Sequence, residues 1–445
     1  MQSRATIIGK VLKIAAPILF SSLVNLFIPL INAAIIGQNN AAYLYVLGIY
    51  LPIGFLQTAL NESMRVSAIV LSSQAAGSND KALWGRQLLC LLRLTFCIFL
   101  SLAFLFWLTH SLFMALFVVP PVWQTIVYNF VELFLLVGAV LSVSILMTAS
   151  LYGIGQVYAV TVVSFLVFCV GIPLTFVLVY VAHWGLYALP ASTIVTASGS
   201  GIWAALRLRR LGVLPPLNLG WLLDYWNHLQ EISQISLPIF GGYVILFSNS
   251  VLFNRLLAIF PPSAIAGFGV AYRIQSIILM PAIALGIGLA INVNRLVAAE
   301  QREQVHAFFS TALSFSGVLF VVIGLAVFFG RSLLPRLVTS DETVIAAASQ
   351  YLGYMGLAYM IIGPLETLFT FFEETGNGVR SLTVNTFILA VQIVLAFYIA
   401  WAYHSLALVY QVTALSYLVT ILYISYELMR SKRLRGKQIR VIRAR

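Results

Sequence analysis

Charge is scarce in this chain. Only 9% of its 445 residues are Asp, Glu, Lys or Arg, while 61% are hydrophobic; a soluble domain carries roughly 25% charged residues. That balance excludes a water-soluble globular protein. A transmembrane β-barrel is excluded as well, because its strands are about ten residues long and alternate in polarity. Cysteine is rare: Cys90, Cys97 and Cys169 all fall inside apolar runs, where they read as small packing residues. None of the five histidines stands in a zinc-binding or triad spacing, and no Walker sequence occurs. The paired glycines Gly153 and Gly155, and Gly286 and Gly288, lack the preceding strand and the lysine of a phosphate loop. They are expected to serve close helix packing, as is the "SGSG" cluster from Ser198 to Gly201. No catalytic residue, cofactor or metal site is expected, and an enzyme is excluded.

What is abundant is long apolar sequence. A spanning helix needs about 20 apolar residues. Twelve such runs are found, at 14–37, 43–71, 88–109, 125–150, 158–180, 185–205, 235–260, 264–292, 308–330, 346–370, 382–402 and 405–429. The fold class is an all-α integral membrane protein of twelve transmembrane helices. Arg4, Lys10 and Lys13 before the first run mimic a signal peptide, but the same run recurs in the second half and is read as a true span.

The net charge is +12, and eight of the basic residues lie between Arg430 and Arg445 with no acid among them. A basic tail next to a span suits the anionic inner leaflet; nucleic-acid binding is not expected, because no aromatic residue interleaves the cluster. With twelve spans both termini share a side, whose loops hold Lys81, Arg86, Arg207, Arg209, Arg210, Arg295, Arg302 and Arg380. The opposite loops hold only Arg331 and Arg336. The positive-inside rule places both termini in the cytoplasm.

A shift of 221 residues brings special residues into register: Pro17 with Pro238, Gly48 with Gly269, Gly155 with Gly376, His183 with His404. The chain is therefore read as a duplication: six helices over 1–205, a cytoplasmic linker over 206–234 with Pro215 and Pro216, six helices over 235–429, and the basic tail over 430–445. Halves with an even number of helices enter from the same side, so a pseudo-two-fold axis along the membrane normal relates them. Two such bundles can rock about a midplane site.

The placement of these residues resembles the multidrug and toxic compound extrusion (MATE) family, within the superfamily that also holds lipid and oligosaccharide flippases. Pro17 and Pro238 open the first helix of each half ("AAPI", "SLPI"). The second helices end in "SSQAAGSND" and "NVNRLVAAEQRE", and the fourth in "LYGIGQ" and "EETGNGVRS". The resemblance runs from about residue 10 to 430. It implies an exporter of an organic solute, drug-like, cationic or a metabolite, driven by a proton or sodium gradient. Many prokaryotic members carry a coupling Asp in the first helix; the matching place, five residues before Gly37, is Asn32. A second subgroup uses an acid about eight residues past the proline of the seventh helix; that place is Leu246. The loop after helix 2 holds Gly77, Asp80, Lys81, Gly85 and Arg86, the residue types of a major facilitator transporter without its spacing.

Ionisable groups inside spans face a cavity or a partner. Arg93 and Arg255 lie close to span ends and can snorkel to the headgroups. Glu62 and Arg65 are three apart on one helix face and can neutralise each other. Glu366, just after Pro364, is a candidate inner gate. Arg273 is the candidate for an anionic partner, either on the substrate or at Glu132, where it would close an outer gate. Glu132 is deep and has no cation near it in sequence, so it is the carboxyl expected to titrate during proton-coupled transport. Tyr50, Phe55, Tyr243, Phe247 and Tyr272 are candidate cavity-lining aromatics, with ordinary packing as the alternative. A flippase for a lipid-linked molecule, a major facilitator transporter and a non-transporting scaffold are the alternative functions. The expected setting is a multi-pass, monomeric protein of the inner (plasma) membrane.

Overall fold

A computed structural model describes residues 3–40, 43–78, 80–116, 119–213, 226–257, 259–339, 341–418 and 420–426. The basic tail from Arg430, and Pro215 and Pro216 of the linker, lie outside the described residues. The described residues form twelve α-helices and no strand: α1 Arg4–Asn39, α2 Tyr43–Ser78, α3 Lys81–Leu116, α4 Pro121–Gly153, α5 Val157–Tyr180, α6 Ala188–Arg210, α7 Trp226–Leu257, α8 Pro262–Ala298, α9 Val305–Gly330, α10 Glu342–Glu374, α11 Gly378–Tyr403 and α12 Leu406–Ser416.

Local chemistry sets the helix ends. Proline at the first position opens α4 and α8, where its missing N–H is harmless. Asp341 caps α10, accepting from the N–H groups of Thr343 and Val344, and Ser405 caps α12 through the N–H of Leu408. The helices run past the apolar runs that announce them. Thirty-six residues in α1 at 1.5 Å each make about 54 Å, well beyond the hydrocarbon core of about 30 Å. The polar flanks continue the helix, because in a headgroup layer the backbone still gains from bonding to itself.

Eleven of the twelve helices are apolar and long enough to cross a membrane, the last of them when α12 is followed on to Tyr426. The exception is α6, which the expected span at 185–205 had counted with the rest. It is rich in Ser and Thr and ends on Arg207, Arg209 and Arg210. Its hydroxyls are satisfied by neighbours: Thr175 donates to Ser192 at 2.8 Å, and Ser144 and Ser200 lie 2.8 Å apart. Others bond back to carbonyls one turn earlier in α6, as Thr193 does to Leu189.

The packing divides the chain into two compact units. The first is Phe20–Phe240; the second is Met1–Leu19 with Gly241–Arg445. The first turns of α1 therefore pack with the second unit, and those of α7 with the first. In the first unit α4 is central and touches α2, α3, α5 and α6; in the second α10 holds the same place among α8, α9, α11 and α12. Small residues permit the approach. A Cβ on Gly153 would lie 1.9 Å from Ser72 Oγ, one on Gly286 2.8 Å from the Thr367 carbonyl, and one on Gly324 2.6 Å from the Gly356 carbonyl. Gly288 abuts Val11 and Ala15 of α1 in the same way.

The 221-residue shift is written into the backbone. Subtracting it from Glu342–Glu374 gives the bounds of α4, and subtracting it from the second unit boundary, Phe240/Gly241, gives the first, Leu19/Phe20. The left-handed positions coincide too: Gly155 (φ 83°) with Gly376 (φ 78°), and His183 (φ 57°) with His404 (φ 48°). Gly155 is thus a turn residue, not a packing one as its spacing from Gly153 suggests.

Candidate functional site

The residues singled out from the sequence fall in both units. In the first, Glu62 and Arg65 form the ion pair that their spacing announces, Arg65 Nε donating to Glu62 Oε2 at 2.6 Å. Both side chains remain partly open, at 31% and 22%. Asn32, on α1, has a buried side-chain oxygen that accepts no hydrogen bond among the described residues, and Asn61 beside Glu62 has another. Tyr50 is committed to packing. Its ring sits 5.5 and 5.0 Å from those of Phe130 and Phe134, and its hydroxyl donates to Gln57 Oε1. Gln57 in turn donates to the Phe134 carbonyl at 3.2 Å, pinning α2 to α4. Gly138 makes room for it: a Cβ there would come within 2.8 Å of Gln57 Nε2. Phe55 is half-buried.

Glu132 lies on α4, half-buried, with Oε2 enclosed and without a hydrogen-bond partner among the described residues. The group within electrostatic reach of it is His110 of α3. The His110 ring lies 4.8 Å from that of Tyr128, one helical turn before Glu132 on the same face.

In the second unit Arg273 is exposed on α8 and makes no ion pair among the described residues. Tyr272 and Phe247 are also exposed, at 45% and 37%, and Tyr243 is half-buried. Glu366, half-buried on α10, lies within electrostatic reach of Tyr272, Tyr417 and Glu373. Glu373 accepts from Ser381 at 2.6 Å.

Three polar clusters escaped the sequence reading. Gln57 with Tyr50 is one. Gln275 accepts from both Tyr351 (2.9 Å) and Tyr359 (3.1 Å), joining α8 to α10. Gln87, buried on α3, donates to Glu231 of α7 at 2.9 Å, with His228 4.0 Å away. Their shared signal is an amide inside or beside an apolar helix, which must find a partner once desolvated.

This is the architecture of a multi-pass, all-helical membrane protein made of two repeated units, each around one central helix. Comparison with known proteins gives it a family setting. The MatE family model matches residues 238–398. The Vibrio cholerae MATE transporter VcmN in its bent form superposes with a TM-score of 0.88 at 15% identity, over 97% of this chain and 98% of that one. A MOP superfamily transporter from Pyrococcus furiosus superposes with 0.85 at 15% identity, over 96% of each chain. The probable multidrug resistance protein NorM of Thermotoga maritima is 26% identical over 180 residues, covering 40% of this chain and 35% of that protein's length. The fold is that of the MATE transporters, and the second half carries the MatE sequence pattern.

Proposed function

We propose that this protein is a secondary transporter that exports an organic solute by alternating access, driven by a proton or sodium gradient across the inner (plasma) membrane. The moving halves are 1–205 and 235–429, joined by the 206–234 linker; the protein works as a monomer with both termini in the cytoplasm and its basic tail on the anionic leaflet. The observation that carries the coupling is Glu132. Asn32 occupies the helix-1 place where the family resemblance implies a coupling Asp in many prokaryotic members, and an amide cannot titrate. Glu62 already holds Arg65. Glu132 has an enclosed carboxyl oxygen with no hydrogen-bond donor among the described residues, a state that is relieved when the group takes up a proton. Arg273, Glu366 and the aromatics Phe55, Tyr243, Phe247 and Tyr272 are the remaining candidates for contact with the solute or the ion.

The test is uptake into proteoliposomes with imposed pH or sodium gradients, using a panel of cationic and zwitterionic compounds. Glu132→Gln imitates the protonated acid. It should abolish pH-driven uptake while substrate binding remains measurable. An unchanged pH dependence in Glu132→Gln refutes coupling at this residue.

A further inference from the structure

Glu62 and Arg65 stand nearly midway along α2, Tyr43–Ser78. They are paired, Arg65 Nε to Glu62 Oε2 at 2.6 Å, yet both side chains stay partly open. Hydrocarbon offers a charged group neither water nor a counter-ion, so an open ion pair at that depth faces an aqueous cavity.

Exposure along α2 locates the pair within that cavity. One face stays open at Leu51, Phe55, Thr58, Glu62 and Arg65. These positions are alternately four and three apart, which makes them a single stripe of the helix. From 66 to 73 every residue is buried. The ion pair is therefore the last open point on the stripe, at its closed end. The approach is apolar at Leu51 and Phe55 and turns polar at Thr58, whose hydroxyl donates to the Gly54 carbonyl at 2.9 Å. Asn61 stands beside the pair, and its enclosed Oδ1 has no donor among the described residues.

Packing does not require these charges. The 221-residue repeat makes α8 the counterpart of α2, and α8 closes in the same way, with 284–291 buried throughout. At the places of Asn61, Glu62 and Arg65 it has Ala282, Ile283 and Gly286. An ion pair taken out of water is no more stabilising than apolar residues of similar volume. A second copy of the helix that does without the pair leaves it no structural purpose in the first.

We infer that Glu62 and Arg65 bind the head of a zwitterionic solute, with an ammonium and a carboxylate close together and an apolar body that lies along Phe55 and Leu51; this rests on the transport reading above and gives it a substrate class. The carboxylate pairs with the Arg65 guanidinium and the ammonium with the Glu62 carboxylate, so each charge has an opposite one beside it. Asn61 Oδ1 accepts a further ammonium N–H, which supplies the donor it lacks. A solute of one charge fares worse. A cation loses at Arg65 what it gains at Glu62, and an anion does the reverse. The pair selects by charge pattern and not by net charge.

Three probes of one shape test this by calorimetry on detergent-solubilised full-length protein: L-phenylalanine, 2-phenylethylamine and 3-phenylpropanoate. The wild type should bind phenylalanine about ten-fold or more tighter than either singly charged probe, the worth of one charged hydrogen bond. Glu62→Gln, which leaves Arg65 alone, should make 3-phenylpropanoate the tightest. Arg65→Gln should make 2-phenylethylamine the tightest. Glu62→Arg with Arg65→Glu exchanges the charges and should keep the preference for phenylalanine, which separates charge pattern from damage to the fold. A wild type that binds none of the probes, or prefers a singly charged one, overturns the site. So does an order of affinities that the single variants leave unchanged, or a folded exchange variant without the preference. Binding needs no gradient. Phenylalanine bound with this pattern but moved by no gradient in proteoliposomes refutes the transport reading and leaves the site standing. Gradient-driven uptake of other solutes without phenylalanine binding overturns the site alone.

Discussion

At the scale of single residues, the sequence showed pairs on one helix and hid pairs between helices. Glu62 and Arg65 meet because three residues make most of a turn, which needs no tertiary knowledge. Gln87 meets Glu231 across 144 residues, a contact that depends on how α3 packs against α7, and nothing in the spacing states that packing. The turn residues were visible as repeats, but their conformation was not. His404 ends α11 with φ 48° and ψ 32°, a left-handed position that a side chain with a Cβ occupies at a penalty of about 1 kcal/mol. Replacing His404 with Gly should therefore stabilise the protein by about that amount, while Val should destabilise it; thermal unfolding in detergent measures both. Asp341 gives a prediction in pH. Hydrogen bonds from the Thr343 hydroxyl and from the Val344 and Thr343 N–H groups hold its carboxyl below the usual aspartate range. A carboxyl depressed in the folded state stabilises it fully above the unfolded value of about 3.9, and that contribution is lost as pH falls through the folded value. Protection of the first turn of α10 against hydrogen exchange, taken relative to the intrinsic rate at each pH, should then fall below about pH 4. That fall should vanish in Asp341→Asn, which caps without titrating.

At the scale of elements, α6 is where length and polarity disagree. A run counted by length is a span, yet α6 is the one long helix too polar to be recognised as such by composition. Its Ser and Thr are tolerated because α4 and α5 supply hydroxyls and carbonyls within reach, a property of the neighbours and not of the run. The two glycines of the "SGSG" cluster separate the faces. A Cβ on Gly201 would lie 3.4 Å from Ser144 of α4, whereas one on Gly199 meets nothing within 4 Å. Gly201→Leu should therefore separate α6 from α4 and lower stability by about 1–3 kcal/mol, the usual penalty for overpacking. Gly199→Leu, on an exposed face, should leave the unfolding midpoint near the wild-type value or above it, since glycine weakens a helix. Equal effects of the two substitutions would mean that α6 packs on a different face.

At the scale of the whole chain, the 221-residue repeat was legible because turns and prolines recur, but its sharpest expression was not. Pro17 and Pro238 each stand two residues before the point where their helix changes packing unit, and no sequence pattern announces that change. Proline leaves the carbonyl four residues earlier without its helical donor, so each helix has a weakened turn beside its changeover, and α1 has another at Pro29. The orientation of the chain is a separate question, and the charge distribution makes a prediction for it. The helix ends on the N-terminal side carry Lys81, Arg207, Arg209, Arg210, Arg295 and Arg380, while beyond the last turn of α7 the opposite connections offer Arg331 and Arg336. Basic side chains are retained on the cytoplasmic side during insertion, which predicts the α2–α3 connection inside and the α9–α10 connection outside. Single cysteines in a variant lacking Cys90, Cys97 and Cys169 test this at two exposed positions, Asp80 and Ser332. A membrane-impermeant maleimide added to intact cells should label Ser332→Cys and leave Asp80→Cys unlabelled until the membrane is opened. The reverse pattern would invert the topology. Labelling of both from outside would mean that the connections do not lie on opposite faces, and the even count of six spans per half would have to be abandoned.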